Sequence, residues 1–254
     1  MQNHIKDHIN LVRSINPLIL NITNSVTINF IANGLLSLGA SPIMTNATEE
    51  LCDLIQIADA VVINIGTLDN AFVQLCQAAC DIANQLNKPL VLDPVGAGAS
   101  EYRTKTCLAL LETFKWSIIR GNASEILSLA GGAQTSKGVD SRNNSLDAVD
   151  MAKFLAVKHD LVVAISGKTD VVLDKNNRQT FDYGSPIMPK VTGSGCLLTA
   201  VVAAFHAAGI PSYEASCSAV EFYGLCGEYA AKRSKDPGSF AVHFLDALSL
   251  SEIL

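Results

Sequence analysis

The sequence has little excess charge and no long apolar segment. Of its 254 residues, 18 are Lys or Arg and 24 are Asp or Glu, which gives a formal net charge of −6 at pH 7. The basic residues are scattered, so the chain offers no cationic patch to the phosphates of nucleic acid or to an anionic membrane. The longest apolar run, residues 196–210, contains His206 and is shorter than the roughly 20 residues that a membrane span needs. We therefore expect neither nucleic acid nor a membrane as a partner, and we interpret the run as a buried helix.

Paired cysteines and a targeting segment are also missing. The seven cysteines are an odd number and form no CxxC pair, so they match no secreted disulfide framework and indicate a reducing compartment. Cys76 and Cys80 lie four residues apart, but no nearby histidine completes a metal site, and small core side chains are the simpler interpretation. Residues 1–13 carry charged and His side chains where a signal peptide has an apolar core. These features predict a mature protein that begins near Met1 in the cytoplasm.

Several familiar catalytic motifs are absent as well. The chain contains neither GxGxxG nor GxxxxGK[ST], so neither a Rossmann dinucleotide site nor a P-loop is predicted. It also lacks HExxH and GxSxG, which disfavours a zinc protease and a hydrolase triad.

What the sequence does contain is an alternation of short β-branched runs with longer helical patterns, typical of parallel βαβ units. The predicted strands are residues 18–22, 41–44, 61–65, 90–92, 117–119, 161–165 and 171–173. The predicted helices, besides 196–210, are residues 25–38, 70–86, 103–114, 122–129, 145–158, 212–232 and 240–250. Residues 171–183 predict a hairpin at one edge. We predict an α/β fold in one domain spanning residues 1–254, with a central, mostly parallel sheet flanked by helices on both faces.

Polar or glycine residues follow most of the predicted strands. Ligands of an open parallel sheet bind outside the carboxyl ends of its strands, so these segments are expected to line one rim. They are residues 21–24, 44–46, 66–67, 93–98, 120–122 and 166–168.

The sharpest local feature is the turn formed by Thr192, Gly193, Ser194, Gly195 and Cys196, which runs directly into the apolar helix. Glycines let backbone N–H groups face one point, and the unpaired donors of a helix start favour an anion there. A phosphate or an oxyanion fits this turn, and so does a purely structural turn that permits close packing. In the first helical turn the dipole lowers the pKa of a thiol, so Cys196 could act as a base or nucleophile. The alternative is a buried cysteine that serves as a small hydrophobe.

Two carboxylates and one arginine follow predicted strands. Asp93 and Glu125 could hold Mg²⁺ through waters, the usual way in which Mg²⁺ is bound beside phosphates. Glu125 also lies three residues after Asn122, and that spacing is a capping box that needs no metal. Arg120 suits phosphate recognition, although arginines are also common on surfaces.

Taken in order, six segments closely resemble the hydroxyethylthiazole kinase family of the ribokinase-like superfamily, and the resemblance covers nearly the whole chain. They are NITN (residues 21–24), ANGLLSLGASPIM (32–44), NIGTL (64–68), LDPVGAGA (92–99), IRGNASEI (119–126) and VTGSGCLL (191–198). Each motif is moderately specific, and their order and spacing make the combination specific.

The resemblance implies ATP-dependent phosphorylation of the primary hydroxyl of 4-methyl-5-(2-hydroxyethyl)thiazole in thiamine salvage, on a ribokinase-like fold. It also implies a homotrimer with active sites at subunit interfaces, with the thiazole alcohol and ATP as small-molecule partners. The roles that it implies for single residues are an anion hole at Gly193, Ser194, Gly195 and Cys196; thiazole contacts at Met44 and Gly193, with Asn24, Val26 and Thr67 close by; ATP contacts at Arg120 and Ser166; and Mg²⁺ near Asp93 and Glu125.

The chain departs from the family pattern at two positions, where Ser166 replaces a frequent Thr and Ser194 a frequent Ala. Cys196 agrees with the family but stands where most ribokinase-like enzymes have a base aspartate, so the identity of the proton acceptor stays open. Two other functions stay open too. One is a hydrate dehydratase for nicotinamide cofactors, which resembles the aspartate version of the turn, and the other is a binder of nucleotide or thiazole without turnover.

Overall fold

The computed structural model of the protein describes residues 2–131 and 145–250. The predicted domain of residues 1–254 therefore includes three parts outside the described residues: Met1, residues 132–144 and residues 251–254. The strands are β1 (Leu18–Ile22), β2 (Ser41–Met44), β3 (Ala60–Asn64), β4 (Leu90–Asp93), β5 (Ile118–Asn122), β6 (Val162–Ser166), β7 (Asp170–Leu173) and β8 (Arg178–Phe181). The helices are α1 (Gln2–Ile15), α2 (Ile28–Leu38), α3 (Leu51–Ile57), α4 (Asn70–Gln85), α5 (Glu101–Thr113), α6 (Ala123–Leu129), α7 (Val149–His159), α8 (Ser194–Ala207), α9 (Ser212–Arg233) and α10 (Pro237–Ser249).

The eight strands form one sheet in the order β2-β1-β3-β4-β5-β6-β7-β8. The first six strands run parallel, and β7 and β8 add an antiparallel hairpin at one edge. Asp174 accepts hydrogen bonds from the amides of Asn176 and Asn177, which closes the tight turn of this hairpin. The predicted mostly parallel sheet and its edge hairpin are confirmed.

Helices cover both faces of the sheet, as predicted. On one face α1, α2, α8, α9 and α10 pack over strand residues such as Ile19 and Val62. On the other face α3 to α7 pack over their strand neighbours Leu20 and Val61. Burial of alternate strand residues on opposite faces explains why the central strands are almost continuously apolar. Among the residues that the structure describes, no helix combines the length and apolar character that crossing a bilayer requires.

The largest departures from the predicted elements lie near the amino terminus. Helix α2 begins at Ile28 and not at residue 25, because the Asn24 side chain accepts hydrogen bonds from the amides of Val26 and Thr27 and holds them in a loop. Helices α1 and α3 were not predicted. The predicted buried helix at 196–210 is confirmed as α8, whose residues 197–205 are all buried.

Candidate active site

Three pairs of polar or sulfur-containing side chains lie at the carboxyl ends of neighbouring strands. The register pairs Asn21 with Met44, Asn64 with Asp93, and Asn122 with Ser166. Because β1 to β6 are parallel, all of these ends lie on the same edge of the sheet. The site expected from the sequence is therefore assembled on one rim.

The glycine turn ends where α8 begins. Gly193 has φ of 88°, a left-handed conformation that glycine adopts without strain, and it is the N-cap of α8. A Cβ added at Gly193 would lie 3.0 Å from Cγ2 of Thr27, so the turn also packs closely on the loop before α2. The turn is held from behind, where the Ser194 hydroxyl donates to the Met188 carbonyl at 2.9 Å. It thus has both the close packing of a structural turn and the open amides of a helix start.

Arg120 lies directly beneath this turn. It is 8% exposed, and a Cβ added at Gly195 would lie 2.8 Å from its Nη1 atom. Its Nη2 atom donates to the hydroxyl of Ser166, whereas its Nε atom has no hydrogen-bond partner among the described residues. Gly195 is needed because any side chain would displace the guanidinium. A buried cation next to a helix start favours an anion on the turn more strongly than a surface arginine would.

Asp93 is fully buried at the end of β4. Its Oδ2 atom accepts hydrogen bonds from Asn64 and from the Thr199 hydroxyl, each at 2.8 Å, and its Oδ1 atom has no partner among the described residues. Burial raises the pKa of Asp93, and Arg120 and the two hydrogen bonds oppose that rise. One carboxylate oxygen is therefore saturated and the other is left available.

Glu125 forms the capping box that its spacing from Asn122 suggested. Its Oε2 atom accepts from the Asn122 amide at 2.7 Å, while the Asn122 side chain accepts from the Glu125 amide. Its Oε1 atom also accepts from the Gly96 amide at 2.9 Å, which ties the loop after β4 to the start of α6. Burial, which is the larger effect, and the charge of Asp93 together raise the pKa of Glu125 to about 7. The two carboxylates are thus close enough to repel each other.

The expectation that the helix dipole lowers the pKa of Cys196 is wrong. Burial, and secondly the charge of Asp93, raise the pKa of the Cys196 thiol to about 11. Hydrogen bonds with the side chains of Asn64 and Thr27, and the charge of Arg120, lower this pKa but do not compensate. The Nδ2 atom of Asn24 lies 3.5 Å from Sγ and donates to it. At neutral pH the side chain is a neutral thiol, which is a poor base.

Two adjoining cavities open along the ends of β1, β2 and β3. The smaller, of about 160 Å³, is lined by Met44 and Asn21, and the larger, of about 570 Å³, by Thr67 and Phe72. Both share Thr23, Ile28 and Asn46. Of the other predicted substrate contacts, Asn24 is buried and donates to Cys196, whereas Val26 is 67% exposed. Met44 and Thr67 therefore line open space, while Asn24 supports the wall and Val26 faces outward.

Four residues of the site were not singled out from the sequence. Asn64 and Thr199 bind Asp93. Arg103 donates three hydrogen bonds to the carbonyls of Ile65, Gly66 and Val95, and so joins the loops after β3 and β4. Asp170 accepts from the Gly167 amide at 2.8 Å, and burial raises its pKa to about 6. Of these four residues, only Asn64 could have been found from the sequence, because it lies two residues before Gly66 at a strand end.

The described residues contain no group of three or more His, Cys, Asp or Glu side chains arranged to hold a metal. Mg²⁺ does not require such a group, since it keeps several waters and binds through one or two carboxylates and the phosphates of its substrate. The unpartnered Oδ1 atom of Asp93 and the mutual repulsion of Asp93 and Glu125 fit a divalent cation nearby.

Comparison with known proteins identifies close relatives over nearly the full length. A family model described as the hydroxyethylthiazole kinase family matches residues 9–252. The chain is 45% identical to hydroxyethylthiazole kinase of Brachyspira hyodysenteriae, covering 98% of this chain and 94% of the relative. It superposes on the structure of hydroxyethylthiazole kinase from Pyrococcus horikoshii with a TM-score of 0.89 and 39% identity, covering 98% and 93% of the two chains. A ribokinase-like superfamily protein from Enterococcus faecalis gives a TM-score of 0.71 at 13% identity over 98% and 94% of the chains, which bears out the predicted ribokinase-like fold.

Proposed function

The chain belongs to the hydroxyethylthiazole kinase family, and from that membership we propose how its rim carries out the reaction. The protein is a kinase that transfers a phosphoryl group from ATP to the primary hydroxyl of 4-methyl-5-(2-hydroxyethyl)thiazole, in thiamine salvage. Family membership favours this activity over a nicotinamide hydrate dehydratase and over binding without turnover. The proposals below concern the residues, the metal, the assembly and the compartment.

The phosphoryl end of the site lies at the start of α8. Gly193, Ser194, Gly195 and Cys196 form the anion hole, with the Arg120 guanidinium beneath Gly195. Arg120 and Ser166, joined by a hydrogen bond, contact ATP. Phosphoryl transfer passes through a loose transition state whose charge is spread over the equatorial oxygens, so fixed donors and a fixed cation stabilise it most. The close approach of Arg120 to Gly195 is the observation that carries this proposal.

Mg²⁺ is held near Asp93 and Glu125. The Oδ1 atom of Asp93 is the group best suited to hold it, because both oxygens of Glu125 already accept backbone hydrogen bonds. When bound, Mg²⁺ neutralises phosphate charge and orients the nucleotide. Asn64 and Thr199 keep the carboxylate of Asp93 in one orientation.

The acceptor end lies along the two cavities. Met44 and Gly193 contact the thiazole, with Thr67, Asn24 and Val26 close by. Cys196 lies between the two ends, next to Asn24, and contributes position and shape but no basic thiolate. A weak proton acceptor suffices where the transition state is loose, because the alcohol loses its proton late.

We further propose a homotrimer, with residues 1–254 as one domain in each subunit. The exposure of Val26 at 67% and of Leu36 at 61% supports it, because α2 and the loop before it leave two large apolar side chains open to solvent in the single chain. A cytoplasmic location is supported by the seven cysteines, none of which forms a disulfide.

The direct test is to incubate purified protein with ATP, Mg²⁺ and the thiazole alcohol and to detect thiazole phosphate by mass spectrometry. Product should form only when all three are present. Arg120→Lys keeps a charge but loses the planar fork, so we expect kcat/KM for ATP to fall about 100-fold. Failure of the wild-type protein to form product at any enzyme concentration would refute the proposed activity.

A further inference from the structure

A series of hydrogen bonds runs through buried side chains at the carboxyl ends of three strands, β1, β3 and β4. The amides of Val26 and Thr27 donate to Oδ1 of Asn24, at 3.1 and 3.2 Å. Nδ2 of Asn24 donates to Oδ1 of Asn64 at 2.9 Å, and Nδ2 of Asn64 donates to Oδ2 of Asp93 at 2.8 Å. Asn24, Asn64 and Asp93 are 3%, 1% and 0% exposed, so solvent cannot replace these bonds.

The backbone amides that begin this series of hydrogen bonds determine which group donates and which accepts at every later step. A backbone amide can only donate, so the amides of Val26 and Thr27 set which way the Asn24 carboxamide faces. The Gly66 amide, which donates to Oδ1 of Asn64 at 3.0 Å, does the same for the second carboxamide. Each step therefore presents a donor to the next side chain, and the last donor meets a carboxylate that can only accept when ionised.

The carboxamide of Asn64 is where the acceptor side and the phosphoryl side of the site meet. Its oxygen supports the acceptor loop, here residues 24–27, through Asn24. Its nitrogen, together with the Thr199 hydroxyl from α8, occupies Oδ2 of Asp93 and leaves Oδ1 without a partner. Removing the Thr199 hydroxyl would affect Asp93 and a longer bond to the Gly195 carbonyl, both on the phosphoryl side. Removing the Asn64 carboxamide would affect both sides.

We propose that Asn64 is a positioning residue, which holds the acceptor loop and the carboxylate of Asp93 in one hydrogen-bonded unit. The proposal rests on the proposed function for its consequences in catalysis, but the unit itself is a property of the protein without ligands. Asn64 acts through Asn24 and Asp93, and its carboxamide also hydrogen-bonds the Cys196 thiol.

The test compares three variants. Asn64→Leu is close in volume and removes both halves of the carboxamide. Thr199→Val removes one donor to Asp93 and leaves the acceptor loop intact. Asn84→Leu is the matched control, because the Asn84 carboxamide also donates and accepts, bridging α4 to Lys115 at the opposite edge of the sheet. Thermal midpoints are recorded for all variants, and Asn64→Ser serves if Asn64→Leu does not fold.

Asn64→Leu should lower kcat by about 10–100-fold, as is usual when a residue that orients a metal-binding carboxylate is lost. It should also raise the KM for the thiazole alcohol by about fivefold, equivalent to one lost hydrogen bond. Thr199→Val should lower kcat with an unchanged KM for the alcohol, and Asn84→Leu should change neither by more than about twofold. A kcat and KM for Asn64→Leu that match those of Asn84→Leu would overturn the proposal.

A readout independent of turnover is amide hydrogen exchange in the protein without ligands. The peptide that contains residues 24–27 should exchange faster in Asn64→Leu than in the wild type, and at the wild-type rate in Thr199→Val and Asn84→Leu. Wild-type exchange in Asn64→Leu would overturn the proposal even if kcat fell. If the wild-type protein forms no thiazole phosphate, the proposed function fails, and the exchange comparison still decides whether Asn64 holds the loop.

Discussion

At Cys196, two opposing effects act on the pKa of one thiol. The start of α8 favours the thiolate, as any helix start does, by an amount that falls off within one turn. Burial and the nearby carboxylate of Asp93 disfavour it, and the resulting pKa of about 11 shows that they prevail. Position on a helix is therefore a weaker guide to reactivity than the polarity of the surroundings.

The first prediction concerns the chemical reactivity of this thiol. A pKa of about 11 in place of the ordinary 9.0 lowers the thiolate fraction at pH 7.5 about a hundredfold. Iodoacetamide at that pH should therefore label the exposed Cys52 well before Cys196, as measured by mass spectrometry of the cysteine-containing peptides. Labelling of Cys196 at the rate of Cys52 would show that the thiol is activated.

The second prediction separates position from basicity at Cys196. Cys196→Ala should lower kcat by roughly 3–10-fold with little change in the KM for ATP, because a side chain that only shapes the site contributes about a kcal/mol. Cys196→Asp should retain or raise kcat, since a carboxylate supplies the base that the thiol does not. Steady-state kinetics at saturating Mg²⁺ measure both, and unchanged kinetics in both variants would remove Cys196 from the mechanism.

The positions of the site residues are easier to predict from the sequence than the hydrogen bonds between them. The positions of the strand ends alone predict that one rim carries Asp93, Arg120 and Ser166. The bond from Asn64 to Asp93 depends on the register between β3 and β4, and the bond from Thr199 depends on the rotation of α8. Neither quantity is encoded in a short motif. The burial of Arg120 likewise cannot be predicted from a motif, because it depends on how the helices pack over the sheet.

Among the elements, the contact between α2 and α8 positions the glycine turn. Gly34 of α2 faces Leu197 of α8, and a Cβ added at Gly34 would lie 2.3 Å from a methyl carbon of Leu197. Leu197 is fully buried and follows Cys196 directly, so a Cβ at Gly34 would have to displace either its side chain or the first turn of α8. The absence of one methyl group on α2 thus sets how closely the turn approaches the acceptor loop.

The third prediction tests this contact. Gly34→Ala should lower the free energy of unfolding by about 1–3 kcal/mol through overpacking, which is a drop of roughly 2–4 °C in Tm per kcal/mol. Because α8 shifts, kcat should fall as well. Gly238→Ala on α10 is the control, since nothing lies within 4 Å of its added Cβ. Adding Leu197→Ala to Gly34→Ala should recover part of the lost activity, and a wild-type Tm for Gly34→Ala alone would contradict the packing argument.

The elements themselves were predictable where the chain is strongly apolar. Strands β1 and β2 have the predicted bounds, and the strongly apolar α8 was recognised. Helix α3 has seven residues, too few to display a period, and α1 is polar along much of its length. The predicted start of α2 lies three residues early because the apolar pattern continues into a loop whose amides are held by the side chains of Asn24 and Thr67.

For the whole molecule, the fourth prediction concerns assembly. Leu36→Glu places a charge on the α2 face that we propose to be covered in the trimer, so light scattering should find a smaller species. Activity should fall together with the trimer if, as the family resemblance implies, the active sites lie at subunit interfaces. Ile57→Glu is the matched control, because Ile57 is also 61% exposed but lies on α3, on the other face of the sheet. A wild-type protein that is monomeric at micromolar concentration would refute the trimer.

The fifth prediction concerns stability against pH. Burial raises the pKa of Asp170 from its usual 3.8 to about 6, so the folded protein binds this proton more tightly than the unfolded chain does. The stabilising contribution of this group is therefore complete below about pH 4 and is lost as the pH rises through about 6. Asp170→Asn can keep the bond from the Gly167 amide without the charge, so the variant should match the wild type at pH 4.

At pH 7 the same variant should be more stable by about 1–2 kcal/mol, which is below the full value of a two-unit shift because partial solvent exposure screens the charge. Thermal unfolding at the two pH values measures the difference. A variant that loses stability equally at both values would show that Asp170 acts through its hydrogen bond alone.

Helix α8 carries the anion hole in its first turn and Thr199, a partner of Asp93, one turn later. The phosphoryl half of the site is thus built around one rigid element, whereas the acceptor half is drawn from the loops that follow β1, β2 and β3. Substitutions in those loops can alter the alcohol that is accepted without displacing α8. An enzyme built in this way can diverge toward new alcohols over evolutionary time while keeping the same phosphoryl donor, and Asn64 is a residue at which the two histories would have to stay compatible.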